Sequence, residues 1–269
     1  MTTHHMMYVT RTPFPHPLPL LPFYRLRYVP QQRWLEAWFA SAAVSLPRCG
    51  PQQLTTMSLV LGEWGLVPTP GFSIDFWRAT RARFADFTPY QLSVLLWGLA
   101  QARRTVPPSW ATALLSSFTQ HLQQIGEETD PGDAIRFIRA LSSVNVKPQG
   151  SASWVGKTPG VGQRLGAVVG WLVPQLGEVQ PKWLVQLVQA LLRLKVALPG
   201  EVVQGLNDAA ARMDERLEPK QRALLAGGFK ELRRRAKQQQ EQQQEQQQER
   251  RKGREEWRPE QSGPADSLW

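Results

Sequence analysis

Residues 88–110, TPYQLSVLLWGLAQARRTVPPSW, decide the fold. Thr88 is a residue type that caps helices, and Pro89 at the first helical position gives up only an amide that has no partner there. Leu92, Leu95, Leu96, Leu99 and Ala102 then recur at steps of three and four residues, the spacing of one apolar helix face. Pro107 and Pro108 end that helix, and Trp110, Leu114, Leu115, Phe118 and Leu122 begin a second face of the same period. Two short helices about a prolyl turn form an αα-hairpin, and a lone hairpin has too small a core to stand by itself.

The unit recurs. A proline opens an apolar helix at Pro51, Pro89, Pro131, Pro181 and Pro219, at steps of 38, 42, 50 and 38 residues. The third residue after each is Leu54, Leu92, Ala134, Leu184 or Arg222, and the sixth is Met57, Leu95, Phe137, Leu187 or Leu225. The tenth is Leu61, Leu99, Leu141, Leu191 or Phe229, and the thirteenth is Trp64, Ala102, Val144, Leu194 or Leu232. Only Arg222 breaks the set. Second helices are predicted over 72–84, 110–122, 161–176 and 202–217. An irregular bundle of similar helices is the alternative, but bundles have no reason to repeat a capping proline at a fixed period. The chain therefore reads as all-α, an α-solenoid of about five helix-turn-helix repeats with a 38-residue period.

Around the array over 33–235, residues 1–32 form a leader and 236–269 a low-complexity tail, and 150–162 interrupt the third repeat. The leader has arginines at 11, 25 and 27, no acidic residue and six prolines between 13 and 30. It is compatible with an organelle transit peptide or simply a disordered segment. Residues 33–46, RWLEAWFASAAVSL, place Trp34, Leu35, Trp38, Phe39, Ala42 and Ala43 on one helical side. They are predicted to be the second helix of an incomplete repeat, whose aromatics would be an exposed patch unless a preceding element or a partner covers them. The Gln/Glu-rich tail has no apolar face and is expected to be a solvated helix or disordered.

A 38-residue two-helix unit with Pro89, Leu92, Leu96, Trp97, Gly98, Leu99 and Ala100 in its first helix, and Val106, Pro107, Pro108, Ser109 and Trp110 at its turn, resembles the octotricopeptide repeat family. That family's turn usually reads P-P-P-E-W, here V-P-P-S-W, and the resemblance extends over roughly residues 50–235. Tetratricopeptide and pentatricopeptide units have shorter periods. The resemblance implies an organelle-targeted RNA-binding protein of the green-algal type, acting on chloroplast or mitochondrial transcripts in stability, processing or translation. Some members of such repeat families are instead built into mitochondrial ribosomes.

A formal charge of +10 and a pI near 10.2 fit a phosphate-bearing partner, although the excess is spread over leader, array and tail. It would equally suit a ribosomal or acidic-protein partner. Cys49 is the single cysteine, which excludes a disulfide framework and a cysteine-rich zinc site. No apolar run approaches the ~18 residues of a membrane span. No cofactor motif is found. Gly156, Lys157 and Thr158 end like a phosphate loop, but Ser151 stands where its first glycine should be and no strand precedes it. There is no metalloprotease or serine-hydrolase motif and no paired acidic cluster, so the reading is non-enzymatic. Asp130 and Asp133 are expected to cap the Pro131 helix.

Stacked hairpins carry their first helices along one side, where side chains between the apolar positions recur at a fixed rise that can match successive bases. The candidate base contacts follow the opening proline by one, two or five residues: Gln52, Gln53 and Thr56; Tyr90 and Gln91; Asp133 and Arg136; Lys182, Trp183 and Gln186. Amides and carboxylates can pair with base edges, and Tyr90 and Trp183 can stack. Arg103, Arg104, Arg139, Lys147, Arg193 and Lys195, near first-helix ends, are the candidate phosphate contacts, with Trp154 and Lys157 of the insertion as further RNA contacts. The expected partner is single-stranded organellar RNA or rRNA, inside a ribosomal or other multiprotein RNA complex if affinity needs more repeats. The rival reading is a structural scaffold or ribosome-associated subunit that holds proteins and the rRNA backbone without sequence readout.

Overall fold

In the computed structural model, which describes residues 29–125, 128–146, 158 and 160–256, each opening proline stands at the start of a helix. The first helices are α2 (Pro51–Glu63), α4 (Pro89–Gln101), α6 (Pro131–Ser143), α8 (Pro181–Leu194) and α10 (Pro219–Glu256). The second helices are α1 (Gln32–Ser45), α3 (Pro70–Arg81), α5 (Pro108–Ile125), α7 (Val161–Leu172) and α9 (Gly200–Arg212). Their starts have identifiable chemistry. Thr88 Oγ1 accepts from the Gln91 amide while Gln91 Oε1 accepts from the Thr88 amide, a reciprocal capping box, and Asp130 accepts from the Gly132 amide at 2.8 Å.

The helices queue in chain order. α2, α4, α6, α8 and α10 pack each on the next in one row, and α1, α3, α5, α7 and α9 do the same in the other. The fold is thus all-α, a two-layered stack of helical hairpins. Its core is continuous between the rows, built from the residues that follow the prolines by three, six and ten: Leu92, Leu95, Phe137, Leu187 and Leu191 are among the fully buried ones. Phe118 of α5 stacks on Phe137 of α6 at 4.0 Å, tying the rows together. Arg222, the one break in the pattern, lies exposed in the last repeat and bonds the Asp214 carbonyl.

Hydrogen bonds at near-repeat separations link successive units. Arg83 donates to the Pro47 carbonyl, Arg104 to that of Leu66 and Ser117 to that of Phe84. The turns after α4 and α6 add a two-residue parallel pair, β1 (Thr105–Val106) with β2 (Asn145–Val146). Among the described residues α1, α3, α7 and α9 lead into a short 3-10 turn, at 46–48, 84–86, 173–177 and 214–216, before the next opening residue.

One expectation meets the structure differently. The aromatic side of α1 is covered, because α3 packs on it: Trp38, Phe39 and Phe72 form one buried cluster with centroids 5.0–5.9 Å apart, so no patch of these rings is exposed. Of the two outcomes open for the tail, residues 236–256 continue α10 as a helix, exposed beyond Ala236 over residues 237–250. The leader through residue 28, most of the insertion (including Trp154 and Lys157) and residues 257–269 lie outside the described residues, as does Lys147. Cys49 is a small buried side chain whose thiol, pushed up by burial, donates to the Ser45 carbonyl. Among the described residues no helix is long and apolar enough to cross a membrane.

Candidate nucleic-acid interface

On each first helix the residues that follow the proline by one, five, eight and twelve share one side, which on α4 includes the buried Val94 and Trp97 half-buried against the core. On α4 they are Tyr90, Val94, Trp97 and Gln101; on α6, Gly132, Arg136, Arg139 and Ser143; on α8, Lys182, Gln186, Gln189 and Arg193. Side by side, these stripes form a surface that crosses three repeats.

Two cation–π rungs span the groove from α6 to α4. The Arg136 guanidinium lies 5.8 Å from the Tyr90 ring centre and that of Arg139 lies 5.5 Å from Trp97. Arg136 is further held by the Asp133 carboxylate at 2.6 Å and donates to Ser93 Oγ at 3.4 Å. Burial pushes the Asp133 carboxyl up from its ordinary range, and the Arg136 guanidinium pulls it back down.

Beside the second rung a polar cleft of about 300 Å³ opens between α4, α6 and α8. Trp97 and Gln101 line it from α4, Arg139 from α6, and Gln186, Gln189 and Arg193 from α8. Among the described residues its wall contains no carboxylate. Burial lowers the pKa of Arg139, and the positive charges of Arg136 and Arg193 lower it further. Arg139 is therefore close enough to both other guanidiniums to be repelled by them, and of the three only Arg136 has an acidic partner among the described residues.

The structure brings together three of the sequence-predicted residues, Arg139, Arg193 and Gln186, in this cleft. Tyr90 and Arg136 adjoin it as the first rung. Gln52 and Thr56 sit on the corresponding stripe of α2, where Gln52 Oε1 accepts from Gln91 Nε2 at 3.2 Å and Thr56 Oγ1 donates to the Gln52 carbonyl. Lys182 is exposed at the start of the α8 stripe.

Residues two after the proline do structural work. Gln53 Oε1 caps Gly50, Gln91 caps Thr88, Asp133 is buried against Arg136, and Trp183 packs half-buried on the core. Three of the predicted phosphate contacts also have other surroundings. Arg104 is half-buried and spends a donor on the turn of the preceding repeat, Leu66 O at 2.8 Å. Arg103 and Lys195 are exposed, but neither lines the cleft; they occupy the left-handed stop after α4 and α8, with φ 50° and 53°. Gly65 takes that same position after α2 with φ 61°.

Sequence reasoning passed over Trp97, Gln101 and Gln189. The signal was available, because the eighth and twelfth positions continue the stripe of the first and fifth at helical spacing. No family model matches the chain, and no curated protein matches it.

Proposed function

We propose that this chain is a non-catalytic RNA-binding helical-repeat protein of the octotricopeptide type, acting in organelle gene expression. Transcript stability, processing or translation is the level at which it works, in a chloroplast or mitochondrion. The observation that carries the reading is the cleft of α4, α6 and α8, where arginines from neighbouring repeats converge beside Trp97 with no acidic residue among the described residues of the wall. Uncompensated guanidiniums beside an indole suit a phosphate next to an unstacked base. Crosslinking the protein to RNA in cells and sequencing what is attached tests it. Enrichment of organellar transcripts is the expected result, and recovery of no RNA above background would overturn it.

A second reading, a ribosome-associated scaffold that grips the rRNA backbone, is favoured by one observation. Gln53 and Gln91, two of the four amides expected to read bases, serve as helix caps. Co-sedimentation with ribosomal subunits, with only rRNA crosslinked, would select this alternative.

A further inference from the structure

We infer that the cleft between α4, α6 and α8 is a phosphate seat for single-stranded RNA, in which Arg139 and Arg193 bind the backbone without discriminating among bases. This rests on the RNA-binding reading above and specifies how the binding is done.

The arginines are unequal. Arg136 is neutralised by Asp133 and held over Tyr90, so its charge is largely spoken for. Arg139 has its guanidinium carbon 5.5 Å from the Trp97 ring centre, a contact that leaves its N–H groups without a carboxylate among the described residues. Arg193 is exposed on the opposite wall, likewise without an acidic partner among the described residues. Two cations left facing one small space are stabilised by an anion that accepts from both, and a planar fork matches a phosphate well.

At about 300 Å³ the cleft is at the small end of ligand sites, room for a nucleotide unit. It is sunk between three helices, so a flexible strand can lower a phosphate into it more readily than a stiff duplex can. Base readout would need a periodic column of free amides or carboxylates. The column two residues after the proline is consumed by capping, ion pairing and packing, and the amides of the cleft itself, Gln101, Gln186 and Gln189, stand at three different positions after their prolines and form no column, which leaves the backbone as the feature these repeats engage.

The test uses the full chain and fluorescein-labelled 12-mers of single-stranded RNA: oligo-A, oligo-U, oligo-C and one mixed sequence. Their anisotropy is read from 50 to 300 mM salt, with DNA of the mixed sequence and duplex RNA as comparison arms. R193Q, which alters an exposed side chain, is the primary variant, and R139Q the second, with circular dichroism confirming the fold. Expected are affinities for the four RNAs within a few-fold of one another. Each variant should weaken all of them by about tenfold at low salt. The slope of log affinity against log salt should become shallower by about 0.7 per arginine. Binding that favours one sequence by a hundredfold, a salt slope unchanged in R193Q, or tighter binding of duplex than of single strand would overturn the seat while leaving RNA binding standing. Binding to no RNA at any salt would overturn both.

Discussion

Replacing Gly98 by alanine tests the contact that sets the spacing of the first-helix row. A Cβ at Gly98 would lie 2.3 Å from the Ser58 carbonyl oxygen, 2.5 Å from its carbon and 2.6 Å from Ser58 Oγ. The first two are α2 backbone atoms, so no rotamer change relieves the overlap and the helices must part by roughly 1 Å. Ser58 Oγ now donates to the Leu95 carbonyl at 2.6 Å in a buried hydrogen bond, and separation weakens it. Overpacking of this kind costs about 1–3 kcal/mol. A strained buried hydrogen bond adds about 1 kcal/mol, against a gain of about 1 kcal/mol from alanine's better helix propensity. The expected net loss is about 2 kcal/mol. Gly227 in α10 provides the control, because a Cβ there meets nothing within 4 Å. G227A should gain up to about 1 kcal/mol from propensity alone. Urea unfolding followed by circular dichroism at 222 nm reads both changes. If the G98A midpoint fails to fall, or the two variants shift alike, the idea that backbone contact at Gly98 sets the row is wrong.

Arg103 holds a left-handed backbone that Gly65 takes in the preceding repeat, so R103G should stabilise the chain by about 0.5–1 kcal/mol in the same assay, and a loss would refute the strain. Arg104 joins two repeat turns through the Leu66 carbonyl; R104A should cost about 1–2 kcal/mol and leave RNA affinity within twofold, whereas lost affinity at unchanged stability would restore it as a phosphate contact. The Glu231 carboxyl, hydrogen-bonded by Arg234 and Arg235, is held at about 2. Because its folded pKa lies below the unfolded value of 4.5, its stabilising contribution is present above pH 4.5 and lost as pH falls toward 2. An NMR titration of the side chain that shows a midpoint near 4.5 would exclude those bonds.

Much of the architecture was legible from residues close together in the chain. The apolar places after each proline are a matter of helical period, and burial at Leu54, Leu92, Leu141 and Leu191 follows from it wherever the neighbours stand. Capping by Thr88 and Asp130 was legible for the same reason, since a cap reaches only two or three residues. The candidate site was half legible: Arg139, Arg193 and Gln186 were named, yet so were Gln53 and Gln91. An amide three residues after a helix cap reads as a base contact or as half of a capping box, and only the backbone amide it accepts from separates the two.

What the amino-acid order determined by itself is therefore the repeating unit: its helices, their caps, the side of each that is apolar and the queue they form. What tertiary structure alone decided is the lateral offset between one first helix and the next. That offset puts Gly98 against Ser58 and Gly228 against Val188, lays Arg139 over Trp97, and faces Arg193 toward both. The reason is physical. Helical period governs contacts within a few residues, whereas these partners are separated by about a repeat or more, and their meeting depends on how closely two backbones can approach.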